Sequence, residues 1–363
     1  MEGPAPVSDL LYSEIENDLR AGVRGLLDDK APWASVLAGT EKDEPYDAAL
    51  WRAVAGRLGC AGLPVPEDLG GAGATWRETA VVMEELGRSA APVPFLTSAV
   101  IATAALLAAG ERDLLGGLAA GEKIAVLAVP FSAGPGHAAP TVQAAGGALT
   151  GEVTSVADGM AADVLLVPAS GALYAVDAAD ARRTAVTSLD MTRRLADIAF
   201  SGAPARRVAE GDGAVRAALR TGAAMLASEQ LGLAERCLDD TVAYVKTRYQ
   251  FGRPVGSYQG LKHRLADLWT SITQARAVAR HAASCVAAGD DDTPIAVAVA
   301  QAHCSAVALK AAEECVQMHG GIGFTWEHPA HLFLKRAKAD SIALGTPDHH
   351  RAALADMVGL PPA

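Results

Sequence analysis

Hydrophobic positions along this chain change their period twice. Over residues 8–121 they recur at the three- and four-residue spacing of helices that bury one face, as in Leu50, Trp51, Val54 and Leu58, or Val81, Val82 and Leu86. Gly59, Gly62, Pro64, Pro66 and the pair Gly70-Gly71 interrupt this pattern and predict a loop between helices. From about 123 to 200 short apolar runs take over, at 124–129, 164–167, 173–176 and 198–200, parted by Gly, Pro and Asp as strands are. Past Gly213 the helical period returns over 214–247, 261–288, 293–318 and 330–344, and four long helices in succession predict a bundle. The expected fold class is α+β, mainly α. It divides into an N-terminal helical domain over 1–122, a middle β domain over 123–205, and a C-terminal helical bundle over 206–363 that forms most of the subunit contacts.

Composition narrows the classes. Half of the 363 residues are hydrophobic, enough for a large core in two or three units, and the few aromatics beside many Gly and Ala favour close helix packing. A formal charge of −11 argues against nucleic acid as the main partner, although a local basic patch can still hold a phosphorylated ligand. The cysteines, Cys60, Cys237, Cys285, Cys304 and Cys315, are odd in number and show no Cys-x-x-Cys pair. Reduced thiols and a cytoplasmic location are expected. Acids across 1–16 read unlike a signal peptide. The apolar stretch 93–109 contains Pro94 and is short for a membrane span, so it predicts a buried helix and no membrane partner.

Three runs carry the chemistry: Arg248-Tyr249-Gln250-Phe251-Gly252, then Tyr258-Gln259, then Gln317-Met318-His319-Gly320-Gly321-Ile322-Gly323-Phe324-Thr325. In order and separation they resemble the C-terminal domain of the flavin-dependent acyl-CoA dehydrogenases. Leu63-Pro64-Val65-Pro66-Glu67 with Gly70-Gly71-Ala72-Gly73, then Met83-Glu84-Glu85-Leu86-Gly87-Arg88, resemble the N-terminal domain of the same family. The order helical, β, helical matches that family over almost the whole chain. The resemblance implies an FAD lying across a subunit interface, with Arg248 and Gln250 reaching its pyrophosphate, where a forked guanidinium suits phosphate oxygens. Phe251, Tyr258, Gln259, Gln317, Met318, His319, Gly320 and Gly321 would line the rest of that edge, the glycines letting backbone approach the ligand.

Other family signatures are missing. Where the family has a Thr-Glu-Pro-Gly-Ala-Gly-Ser-type loop beside the flavin ring, this chain reads Val129-Pro130-Phe131-Ser132-Ala133-Gly134-Pro135-Gly136. Ser155, Val156 and Ala157 stand at the aromatic-Ile-Thr positions, where a Ser and an Ala cannot replace both the stacking surface and the hydroxyl donor. Removal of an α-proton from an acyl thioester needs a placed carboxylate, worth about 10²–10⁴-fold. The two positions at which family members carry it are Leu344 and Gly222 here. Glu229 lies on the same helical face as Gly222 but about 10 Å along it, and is expected to be ion-paired more than basic. Asp348 reads as a solvated cap. His328, His331, His349 and His350 lack the His-Glu-x-x-His pairing of a zinc site, so no metal is expected, and no Gly-x-Ser-x-Gly elbow supports hydrolysis.

These features predict a non-catalytic subunit of an α2β2 acyl-CoA dehydrogenase, lending an edge to FAD held by a homologous partner. Heteromeric members of the family resemble enzymes for bulky or steroid side-chain CoA esters. The alternatives are a self-sufficient homotetramer with a displaced base, Glu229 or another acid, and a flavin-free scaffold or CoA-ester binder; retention of the nucleotide edge argues against the latter.

Overall fold

The computed structural model describes residues 10–136 and 140–360. The N-terminal domain comprises α1 (Glu14–Lys30), α2 (Trp33–Thr40), α3 (Ala48–Trp51), α4 (Trp76–Ser89), α5 (Thr103–Ala109) and α6 (Leu115–Ala119). Ser13 with Glu16 and Thr75 with Glu78 form reciprocal capping boxes that start α1 and α4. The apolar stretch after Pro94 is a wholly buried π-helical segment, Phe95–Ala102, leading into α5. Its polar residues, Thr97 and Ser98, are spent on buried hydrogen bonds to the middle domain.

The middle domain is one sheet of β1 (Ala125–Leu127), β2 (Val142–Ala145), β3 (Ala148–Ala157), β4 (Val164–Ala169), β5 (Ala172–Asp177), β6 (Arg182–Val186), β7 (Leu195–Pro204) and β8 (Arg206–Glu210). The strand order is β6-β7-β3-β2-β4-β5-β8, with β1 parallel to β4. Four strands, β1, β4, β5 and β7, overlap the apolar runs read from sequence, and β2, β3, β6 and β8 do not. Those four alternate buried with exposed residues or lie at edges, so Thr, Glu and Arg dilute the apolar signal. The sheet also continues past 205, because β8 pairs with β5.

The bundle comprises α7 (Gly213–Thr247), α8 (Gln259–Ala288), α9 (Thr293–His319) and α10 (Ala330–Asp340), with a two-stranded hairpin, β9 (Tyr249–Gln250) and β10 (Arg253–Pro254), after α7. The last expected helix stops at Asp340 and not at 344. The chain turns through Leu344 at φ +52° and Gly345, then starts α11 (Pro347–Met357), capped by Thr346. Helix α4 crosses α7 at Gly87 and Gly232, where an added Cβ would strike the carbonyl of Glu229 or Glu84. Backbone therefore meets backbone at this crossing, and only glycine fits. Among the described residues one helical segment, Thr293–Phe324, is long and apolar enough to cross a membrane, but 61% of its apolar window is buried inside the protein, where α9 packs against α7 and α8.

Candidate functional site

The C-terminal ends of α7 and α9 converge, with Tyr244 and His319 rings 4.4 Å apart. This brings two of the three motif runs together. Arg248 caps α7 in an extended conformation, and its exposed guanidinium has no partner among the described residues. The hairpin that follows turns at Phe251, φ +55°, and Gly252, and holds Phe251 93% exposed. Phe251 is therefore a presented aromatic and no part of the core. Gln250 donates to the Tyr249 carbonyl at 2.8 Å, and the Tyr258 hydroxyl donates to the Gln250 carbonyl at 3.4 Å with the Arg253 guanidinium 3.8 Å over the Tyr258 ring. Gln259 and Gln317 face solvent.

Met318 and His319 differ from the rest of the run, since both side chains are buried. His319 Nδ1 lies 2.6 Å from the Cys315 carbonyl, and its ring stacks 4.1 Å from His328. Burial works against its proton, but bonds to Cys315 outweigh that and raise its pKa. These two residues can meet a ligand only through backbone. Gly320 sits at φ +64°, which explains its glycine as the helix end. Gly321 has no such reason: its φ is ordinary and a Cβ there would meet nothing within 4 Å. Its backbone is exposed. Tyr249 and Phe251 on the hairpin are exposed aromatics, and so are Phe324 and Trp326, which line a separate pocket with Leu309, Leu334 and Lys335.

The positions tied to the ring and the base form a second place, between α7, the 95–102 segment and the sheet. A Cβ on Gly222 would lie 2.7 Å from Ile101 Cγ1 and 3.2 Å from Leu344 Cδ1, so the two empty base positions adjoin and Ile101 fills the gap. The cavity left there measures about 20 Å³ and is lined by Ile101, Val129, Phe131, Ala157, Leu219 and Leu344, with Thr97 its sole hydroxyl. That space holds about one water. Thr97 is already committed, donating to Asp158 at 2.7 Å. Leu344 is 1% exposed; its N–H donates to the Phe131 carbonyl at 2.8 Å and its carbonyl meets His350 Nε2 at 3.0 Å. Burial pushes His350 down to about 4, so that bond comes from a neutral imidazole.

Glu229 does not face this cavity. Both of its oxygens accept from Arg193, at 3.0 and 2.7 Å, and Oε1 also accepts from Arg336 at 2.6 Å. Burial alone would raise its pKa, yet the two arginine charges hold it below the ordinary glutamate range. A carboxylate so held is a poor proton acceptor. Around it lie Asp190, which pairs with Arg336, and Asp340, which pairs with Arg193 at 2.9 Å, every one buried. Asp340 Oδ2 has no hydrogen-bond partner, and burial, with Glu229 beside it, drives the Asp340 pKa well above the aspartate range. Sequence reasoning missed this network, because an Arg and an Asp on a helix such as α10 read as a solvated face.

Asp348 is exposed and pairs with Arg351 at 2.7 Å, but it is a first-turn residue of α11 and the cap is Thr346. Among the described residues no three His, Cys, Asp or Glu side chains group to hold a metal, and all five thiols are free and buried.

The fold and this site define a class. Residues 13–122 match the family described as acyl-CoA dehydrogenase, N-terminal domain, and 209–359 match acyl-CoA dehydrogenase, C-terminal domain. The chain belongs to the acyl-CoA dehydrogenase family of oxidoreductases. It is 39% identical over 335 residues to the acyl-CoA dehydrogenase IpdE2 of Mycobacterium tuberculosis (strain ATCC 25618 / H37Rv), covering 91% of this chain and 92% of that one. Among solved structures it resembles the ChsE4-ChsE5 complex from Mycobacterium tuberculosis, with TM-score 0.87 and 29% identity over 98% of this chain and 100% of that chain. It also resembles the Tcur3481-Tcur3483 steroid ACAD G363A variant, with TM-score 0.84 and 29% identity over 95% and 98% of the two chains.

Proposed function

We propose that this chain is the non-catalytic subunit of a heteromeric, FAD-dependent acyl-CoA dehydrogenase, and that it completes a flavin site held mainly by a homologous partner. The observation that carries this reading is the contrast between its two half-sites. The edge is exposed at Arg248, Gln317 and Gly321, and the Arg248 guanidinium has no partner among the described residues, whereas the ring-and-base position is an apolar cavity of about 20 Å³ without a free carboxylate. Arg248 and Gln250 fit the pyrophosphate of an FAD, the guanidinium by its two forked donors and the amide by a single one. Gly320 and Gly321 fit the same ligand by leaving backbone uncovered. Bound FAD would accept the hydride from the β-carbon of an acyl thioester. This chain's own contribution is to hold the anionic end of the cofactor and to shield it from water beneath Phe251 and the hairpin.

Glu229, with both oxygens against arginines, counts against a self-sufficient enzyme with a displaced base. Similarity to the ChsE4-ChsE5 complex and to a steroid ACAD supports a two-chain assembly and a bulky or steroid-derived CoA ester as substrate. The test is Arg248→Ala in the complex co-purified with its partner. Loss of a charge-assisted contact of about 2–5 kcal/mol should strip FAD during gel filtration. Equal flavin content in the wild-type and Arg248→Ala complexes would remove the claim.

A further inference from the structure

The geometry points to a closed loop in this chain: the cavity that a flavin ring and an acyl chain would share is held shut by the chain's own Phe131, with Arg193 as its support. The inference rests on the reading of this chain as the edge-lending subunit. Phe131 is tied on both sides of its backbone, its N–H donating to the Ser155 carbonyl at 2.9 Å and its carbonyl accepting from Leu344 N–H at 2.8 Å. Those two positions belong to the ring-facing strand and to the missing base. Both are strained: Ser155 sits at φ +56° and Leu344 at φ +52°, left-handed conformations that neither residue type favours. Strain of this kind persists where the surroundings over-determine it, and here one residue bridges both sites.

The loop is held on its other sides too. The Phe131 ring lines the remnant cavity, and the Arg193 guanidinium lies 5.5 Å from its centroid. That guanidinium is fixed in turn by Glu229 and Asp340. Gly134 approaches so closely that a Cβ would lie 2.8 Å from His349 and 3.2 Å from the Leu344 carbonyl. Strand β3, the turn at Leu344 and helix α11 therefore all seat the loop, and the chain itself occupies the place of a ligand. Opening the loop would admit a flat, apolar fused ring, of which the flavin ring is the case at hand.

Amide exchange on the wild-type chain reads this directly. The Phe131 and Leu344 amides should exchange as slowly as the central strands of the sheet; exchange within seconds would overturn the closure. The second arm uses lumiflavin, which is the ring without its nucleotide tail. Phe131→Ala, with its fold checked by circular dichroism, should quench with lumiflavin at concentrations at least ten-fold below those needed by wild type, and Phe131→Leu should behave as wild type does. No difference between wild type and Phe131→Ala would overturn the proposal. Should Phe131→Ala not fold, the exchange measurement decides alone. Stoichiometric FAD on the isolated chain, with Leu344 still protected, would end the edge-lending reading and leave the closure standing.

Discussion

Two buried acids of the same network should respond to pH in opposite directions. Asp340 has its folded pKa raised, by burial and by Glu229, so its favourable contribution is complete at low pH and is lost as pH rises through the raised value. Glu229 has its folded pKa lowered, so its contribution is present above the ordinary glutamate range and lost as pH falls. Asp340→Asn should therefore melt no lower than wild type at mildly alkaline pH and lose the alkaline decline. Glu229→Gln should lose about 3–5 kcal/mol near neutrality, since it removes the carboxylate that Arg193 and Arg336 share and leaves each only one buried aspartate, Asp340 or Asp190. Thermal and denaturant unfolding of both variants across pH checks this; parallel curves for the two would contradict it. On turnover, Glu229→Gln should act only as far as it unfolds the protein.

At the scale of elements, what could be read from the sequence depended on how each element is buried. Helices α7, α8 and α9 were legible because each runs 27 residues or more with a helical period. Strands β6 and β8 were not, since Arg182, Arg183, Arg206 and Arg207 give edge strands the look of loops. The Leu344 turn was hidden because a leucine does not announce a positive φ. The three motif runs were legible as a family resemblance, but the inward turn of Met318 and His319 follows from how α9 packs and cannot be read from their order. Nothing in the spacing revealed the Asp190, Arg193, Arg336 and Asp340 network, which assembles residues from separate domains. The α4–α7 crossing carries its own prediction. Gly232→Ala places a methyl against the Glu84 carbonyl and should destabilise by at least about 1–3 kcal/mol, whereas Gly321→Ala, in open space, should leave the isolated chain's unfolding midpoint unchanged. Equal midpoints for the two alanine variants would contradict the close backbone contact.

For the whole molecule, Tyr249 and Phe251 stand exposed on the hairpin next to Arg248, whose guanidinium has no partner among the described residues, so an exposed aromatic surface adjoins the half-site that looks incomplete. A homologous chain with an intact ring loop and a glutamate would complete both. The central claim is this division of labour, and flavin stoichiometry measures it most directly. Purified alone, the chain should be colourless; co-purified with its complementary homologue, it should give yellow protein with about one FAD per pair of chains. One FAD bound to each isolated chain, bleaching when an acyl-CoA is added, would contradict the account.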